Sequence, residues 1–190
     1  MKISTVELLQ DLTAQTQDYL NQAKAFKSLP LETLNWKTDA ESWSVLECME
    51  HLNLYGDFYL PEITHRITQT PHKQSTSLFK SGWLGNYFAN SIRPKTKLNK
   101  MKTFKDKTPA LVGSQLGINT LDRFIDQQNT LLQLLKKAKT VDLNRTKTGV
   151  SINSWIKIRL GDTLRFVIYH HERHLLQANK VLALQKEFVA

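Results

Sequence analysis

Apolar residues recur at helical spacing in four long segments of the chain, and no segment shows the strict alternation of a half-buried strand, so the pattern predicts an all-α protein. The first helix is predicted from about 5 to 27. Val6, Leu9, Leu12, Tyr19, Leu20 and Ala23 form its stripe, and Pro30 stops it. Residues 31 to 43 read as a connection whose Trp36 and Trp43 cover one end of the core. The second helix, 44 to 68, opens on Ser44-Val45-Leu46-Glu47, the spacing of a capping box, and is expected to kink or break near Pro61, which lacks an N–H.

Residues 70 to 112 form a long crossover rather than a tight turn, with a short apolar patch at Trp83, Leu84, Tyr87 and Phe88. The third helix, 114 to 139, ends in Lys136, Lys137 and Lys139, cations that complement its last carbonyls. The fourth, 162 to 187, is expected to start at Asp162 as a cap. Residues 150 to 160 fit strand, short helix or extended loop, and periodicity leaves all three open. Four long helices with a long crossover between helices 2 and 3 make a four-helix bundle, read as a single domain over 1–190.

Composition narrows the function classes. The chain is 41% hydrophobic with one cysteine, Cys48, so no internal disulfide can form, and no apolar run is long enough to span a bilayer. With no apolar leader after Met1, a cytoplasmic location is expected. Twenty-six Lys and Arg against 17 Asp and Glu give a net charge of +9. Much of the excess lies in 93–107, where Arg93, Lys95, Lys97, Lys100, Lys102, Lys105 and Lys107 face one acid, Asp106. No nucleic-acid motif accompanies this stretch, so it reads as a solvated loop and nucleic acid is not the expected partner. Phosphate loops, nucleophile elbows, Cys-x-x-Cys pairs and His-Glu-x-x-His motifs are all lacking, which argues against nucleotide hydrolysis, serine hydrolysis and zinc proteolysis of that type.

Three of six histidines fall in one phrase on the fourth helix, His170-His171-Glu172-Arg173-His174. Residues four apart share a helix face about 6 Å apart along the axis, so His170 and His174 can address one ion. His51, early in the second helix at the edge of its apolar face, supplies a third imidazole from a facing helix. Spacing alone leaves His171 with His174 nearly as good a pair, and it also allows one core histidine with the others in solvent. His65 and His72 have no partner at ligand spacing and read as exposed.

The phrase from Trp43 to Leu52, a Trp-Ser pair followed six residues later by His-Leu, resembles the segment that delivers the first metal ligand in DinB-like proteins. The phrase from His170 to Gln177 resembles the motif on their last helix, two histidines four apart followed by Leu-x-Gln. This resemblance selects His170 over His171. It implies a four-helix bundle, often dimeric, with a three-histidine site for a divalent ion, and for several members thiol-dependent transfer or isomerisation with a low-molecular-weight thiol.

Three neutral imidazoles leave a coordination position open, as in catalytic sites. The expected function is therefore a divalent-metal-dependent enzyme on a small-molecule substrate, by thiol transfer or hydrolysis, with zinc or nickel as the leading ions. Tyr55 and Glu47, each four residues from His51, are the candidate catalytic proton-transfer or outer-shell groups, and Gln177 the candidate orienter of His174. Cys48 reads as a buried inert thiol. The competing reading is a non-catalytic stress-response or anion-binding helical module.

Overall fold

The computed structural model describes residues 1–94, 103–109 and 116–189. Lys95, Lys97, Lys100 and Lys102, together with the predicted start of the third helix at Ser114, lie outside the described residues. The elements run β1 (Lys2–Ser4), α1 (Thr5–Phe26), α2 (Leu31–Asn35), α3 (Val45–Gln69), β2 (Leu78–Lys80), α4 (Trp83–Ile92), a 3-10 turn (Lys105–Lys107), α5 (Asn119–Ala138), β3 (Lys147–Val150), β4 (Asn153–Arg159) and α6 (Leu160–Val189). The fold is mostly helical. Helices α1 and α3 each pack on both α5 and α6, and α4 lies against α6. No described helix is long and apolar enough to cross a membrane.

The apolar stripe of α1 is rotated slightly from the predicted one. Leu8, Leu9, Leu12, Tyr19, Leu20 and Ala23 are buried, whereas Val6 is 63% exposed. Ile3 in β1, not Val6, is the apolar residue that packs against the core at this end. Helix α3 continues without a break through Pro61. Pro61 and Asp57, the residue whose carbonyl loses its helical partner, are both exposed, so solvent can take the released carbonyl.

Asparagine 35 explains why α5 starts later than periodicity suggested. Its side chain accepts from the Leu116 N–H (3.2 Å) and donates to the Leu116 carbonyl (3.0 Å), diverting that backbone from the helix.

Two small antiparallel pairs interrupt the helices. β1 pairs with β2 in the register Ile3 to Phe79, and β3 pairs with β4 with Thr148 opposite Ile158 and a shift at Gly149/Val150. Thr148 and Ile158 are buried while Lys147, Trp155 and Lys157 are exposed, the alternation expected of paired strands with one face covered.

Asp162 is not a cap, because α6 already begins at Leu160. Its fully buried carboxylate accepts from the Ser81 hydroxyl and the Gly82 N–H (2.8 Å), and pairs with Arg165 at 3.1 Å. Arg165 also donates to Ser81, Asn86 and Asn90. This buried network ties the start of α4 to α6. Helix α4 turns Gly85, Ala89 and Ile92 inward and leaves Trp83 and Tyr87 exposed.

Candidate metal centre

The start of α3 fixes where its histidine lies. Ser44 Oγ accepts from the Glu47 N–H (3.1 Å) and Glu47 Oε2 accepts from the Ser44 N–H (2.8 Å), completing the capping box one turn before His51. His51 then faces α6, where His170 and His174 stand one turn apart. All three are buried, at 3%, 4% and 6% exposure. The Nε2 of His170 is 3.1 Å from that of His51 and 3.1 Å from that of His174. One ligand atom from each histidine can be chosen so that all lie within 4.8 Å of one another.

Tetrahedral coordination at 2.0–2.1 Å places ligand nitrogens about 3.3 Å apart, so the donor set fits a divalent ion. The outer nitrogens support this. His51 Nδ1 lies 2.7 Å from the Lys107 carbonyl, and His174 Nδ1 lies 3.1 Å from Gln177 Oε1. Both partners accept, so each Nδ1 carries the proton and each Nε2 presents its lone pair inward.

Electrostatics favour the neutral, ligating form. Burial, reinforced by the Lys107 charge, lowers His51 to about 4 against the opposing pull of the Lys107 carbonyl. Burial is also the largest cause for His170 and His174, which lie well below the ordinary histidine value, with the neighbouring imidazoles adding to the effect.

Aromatic rings wall the cluster. The Trp43 ring is 5.5 Å from that of His174 at 25° and 4.8 Å from His51. Tyr55 meets His51 at 5.0 Å and His170 edge-on at 4.6 Å, and Phe166 is 5.8 Å from His170. Burial pushes the Tyr55 hydroxyl up to about 12, so it holds its proton at neutral pH. Tyr59 stacks parallel to Tyr55 at 6.3 Å and contacts Ser151 at the β3–β4 connection.

Glu47 has other work: beyond the cap, its Oε1 pairs with Lys37 at 3.0 Å. His171 turns away from the cluster, edge-on to Phe124 of α5 at 5.5 Å, with Nδ1 unpartnered. Burial lowers it to about 3. Cys48 is fully buried and burial raises its thiol, so it stays unionised. His65 is exposed, whereas His72 is half-buried, its carbonyl accepting from the Asp142 N–H at 3.0 Å. The Trp36 ring lies 6.2 Å from that of Phe188 in α6.

Sequence reasoning missed the Lys107 carbonyl and the Phe166 wall. A backbone acceptor leaves no trace in residue type. Phe166, one turn before His170, was open to the same i,i+4 spacing.

A family model described as the DinB superfamily matches residues 12–178, and the chain belongs to that superfamily. No curated protein and no solved structure matches it.

Proposed function

We propose that this DinB superfamily member is a divalent-metal-dependent enzyme that acts on a small molecule, by thiol transfer or hydrolysis, with His51, His170 and His174 as the metal ligands. The observation that carries the reading is the 3.1 Å approach of three buried imidazole nitrogens from two helices, with two of the rings held by acceptors at Nδ1. Such an approach of lone pairs is unfavourable unless a cation or a shared proton stands between them. Zinc or nickel suits three imidazoles, and a low-molecular-weight thiol is the proposed co-substrate of the transfer chemistry.

Bound there, a divalent ion would supply Lewis acidity and acidify a water or thiol taken into its open position. The chain's own groups do the rest. Tyr55, protonated and against two of the ligand rings, is the proposed donor of a proton or hydrogen bond to a group at that position, a role its ring contacts with His51 and His170 support. Trp43 and Phe166 exclude water from the ligand rings. Glu47 is proposed to act through the helix start that positions His51 rather than by proton transfer, since its oxygens are occupied.

The proposal extends to the fold: α1, α3, α5 and α6 form a four-helix bundle in one domain over 1–190, with the α3-to-α5 connection as its long crossover, working in the cytoplasm as a homodimer. The test is metal analysis of the purified protein, followed by thiol conjugations and ester or amide hydrolyses assayed with and without chelator. The expected result is about one zinc or nickel per chain and activity lost on chelation and in His51→Ala and His174→Ala. Activity that survives both treatments would reject the enzyme reading, and absence of metal uptake would favour a non-catalytic helical module.

A further inference from the structure

A ligating histidine needs its outer N–H satisfied, because a buried donor without a partner has lost its water and gained nothing in return. For His51 the acceptor comes from outside the helices: the carbonyl of Lys107, in the crossover 56 positions away. That carbonyl is held in two ways. The 3-10 turn is closed by Lys107 N–H to Phe104 carbonyl (2.9 Å) and Thr108 N–H to Lys105 carbonyl (3.1 Å). The Lys107 side chain then crosses back to α3, where its ammonium donates to the Leu54 carbonyl at 3.1 Å and sits 5.8 Å from the centre of the Tyr55 ring. It is 17% exposed, and its one ion-pair partner among the described residues, Asp106 at 3.7 Å, is on the surface.

One residue of the crossover thus grips one turn of α3 at three points: the ligand His51, the Leu54 backbone and the face of Tyr55. We propose that Lys107 is a positioning residue of the metal centre, and that docking of the 103–109 segment on α3 is thermodynamically linked to occupancy of the His51, His170 and His174 site. The inference rests on the metal-binding reading above. If the segment is docked, His51 is fixed in the tautomer and orientation that ligation needs; if an ion holds His51 in that orientation, the Lys107 carbonyl gains a fixed donor. Linkage makes the two effects equal in free energy. The single basic side chain of the 93–107 stretch that is largely withdrawn from solvent among the described residues therefore has a local task, not a partner to attract.

The experiment uses the full chain. Zinc affinity is measured by chelator competition for the wild type, Lys107→Met, which keeps the stem and the carbonyl but loses the ammonium, and Lys107→Arg, which restores a donor to Leu54. Hydrogen exchange over 103–109 is followed with and without zinc. Zinc is expected to slow exchange there by about tenfold in the wild type. Lys107→Met should bind zinc about tenfold more weakly, within the ~10–100-fold range for outer-shell partners, with unchanged helicity, and Lys107→Arg should bind nearly as the wild type does. Equal zinc affinity in wild type and Lys107→Met, or exchange over 103–109 indifferent to zinc, overturns the link while leaving the metal site standing. No zinc uptake by the wild type overturns both.

Discussion

His51 and His170 are 119 positions apart in the chain, and their Nε2 atoms are 3.1 Å apart. The hydrogen bond from His51 Nδ1 to the Lys107 carbonyl leaves the His51 Nε2 without a proton, and Gln177 does the same for His174. In the metal-free protein, then, His170 is the ring free to carry an inward Nε2 proton, which it can give to only one neighbour at a time. The three buried imidazoles are close enough to hold one cation between them.

Burial of the histidines sets a pH dependence. His51 at about 4 and His171 at about 3 in the folded chain compare with ~6.5 unfolded. Below pH ~6.5 the unfolded chain takes up protons that the folded chain refuses. Stability of the metal-free protein is therefore full above pH ~6.5 and falls as pH drops towards 4, by up to ~1.4 kcal/mol per pH unit for each such proton. Urea midpoints at pH 7.5, 6 and 5 should decrease in that order, and His171→Leu should flatten the decline. Midpoints that rise on acidification would contradict the burial argument.

Gln177 Oε1 accepts from His174 Nδ1 at 3.1 Å. Gln177→Ala should weaken zinc binding about tenfold and also lower the metal-free melting temperature, since it strands the buried His174 Nδ1–H without its acceptor. Calorimetric titration checks this, and an unaltered affinity would mean that His174 is held by packing against Trp43 alone.

Arg165 and Asp162 form a buried pair at 2% and 0% side-chain exposure. Arg165→Met strands the carboxylate among Ser81, Gly82 and α4, and should cost about 3–5 kcal/mol in urea unfolding. A loss below 1 kcal/mol would mean that solvent reaches Asp162.

Helix α4 approaches α6 closely at Gly85, where an added Cβ would stand 2.5 Å from Asp162 Cβ. Gly85→Ala gains about 1 kcal/mol of helix propensity. It should nevertheless destabilise the protein, because Asp162 is pinned by its buried network and cannot yield; overpacking then costs about 1–3 kcal/mol, at the upper end here. A thermal melt that rises in this variant would show that α4 shifts freely.

Cys48 should resist thiol reagents in the native protein and react fully in denaturant, since burial both shields it and disfavours the thiolate. Rapid native labelling would reveal frequent opening of the α3 packing.

The local rules of the chain were enough for the four long helices, because their information is local, but not for α2 and α4, which lie inside the stretches 31–43 and 70–112 read as connections. The capping box at Ser44 and Glu47, the stop after α1 and the i,i+4 histidine pair on α6 are all statements about residues within five positions of one another. The His-x-x-x-His spacing put two imidazoles on one face without any tertiary knowledge. Tertiary contacts decided the rest. Which rings of α6 face α3 depends on how the helix is rotated in its packing, which turns His170 and His174 towards His51 and His171 towards Phe124. Val6 is apolar yet exposed, and residues 153–159 are a strand because β3 lies beside them to take their hydrogen bonds. The Lys107 carbonyl, which selects the tautomer of His51, belongs to no residue type at all and exists as a partner only once the crossover has folded against α3.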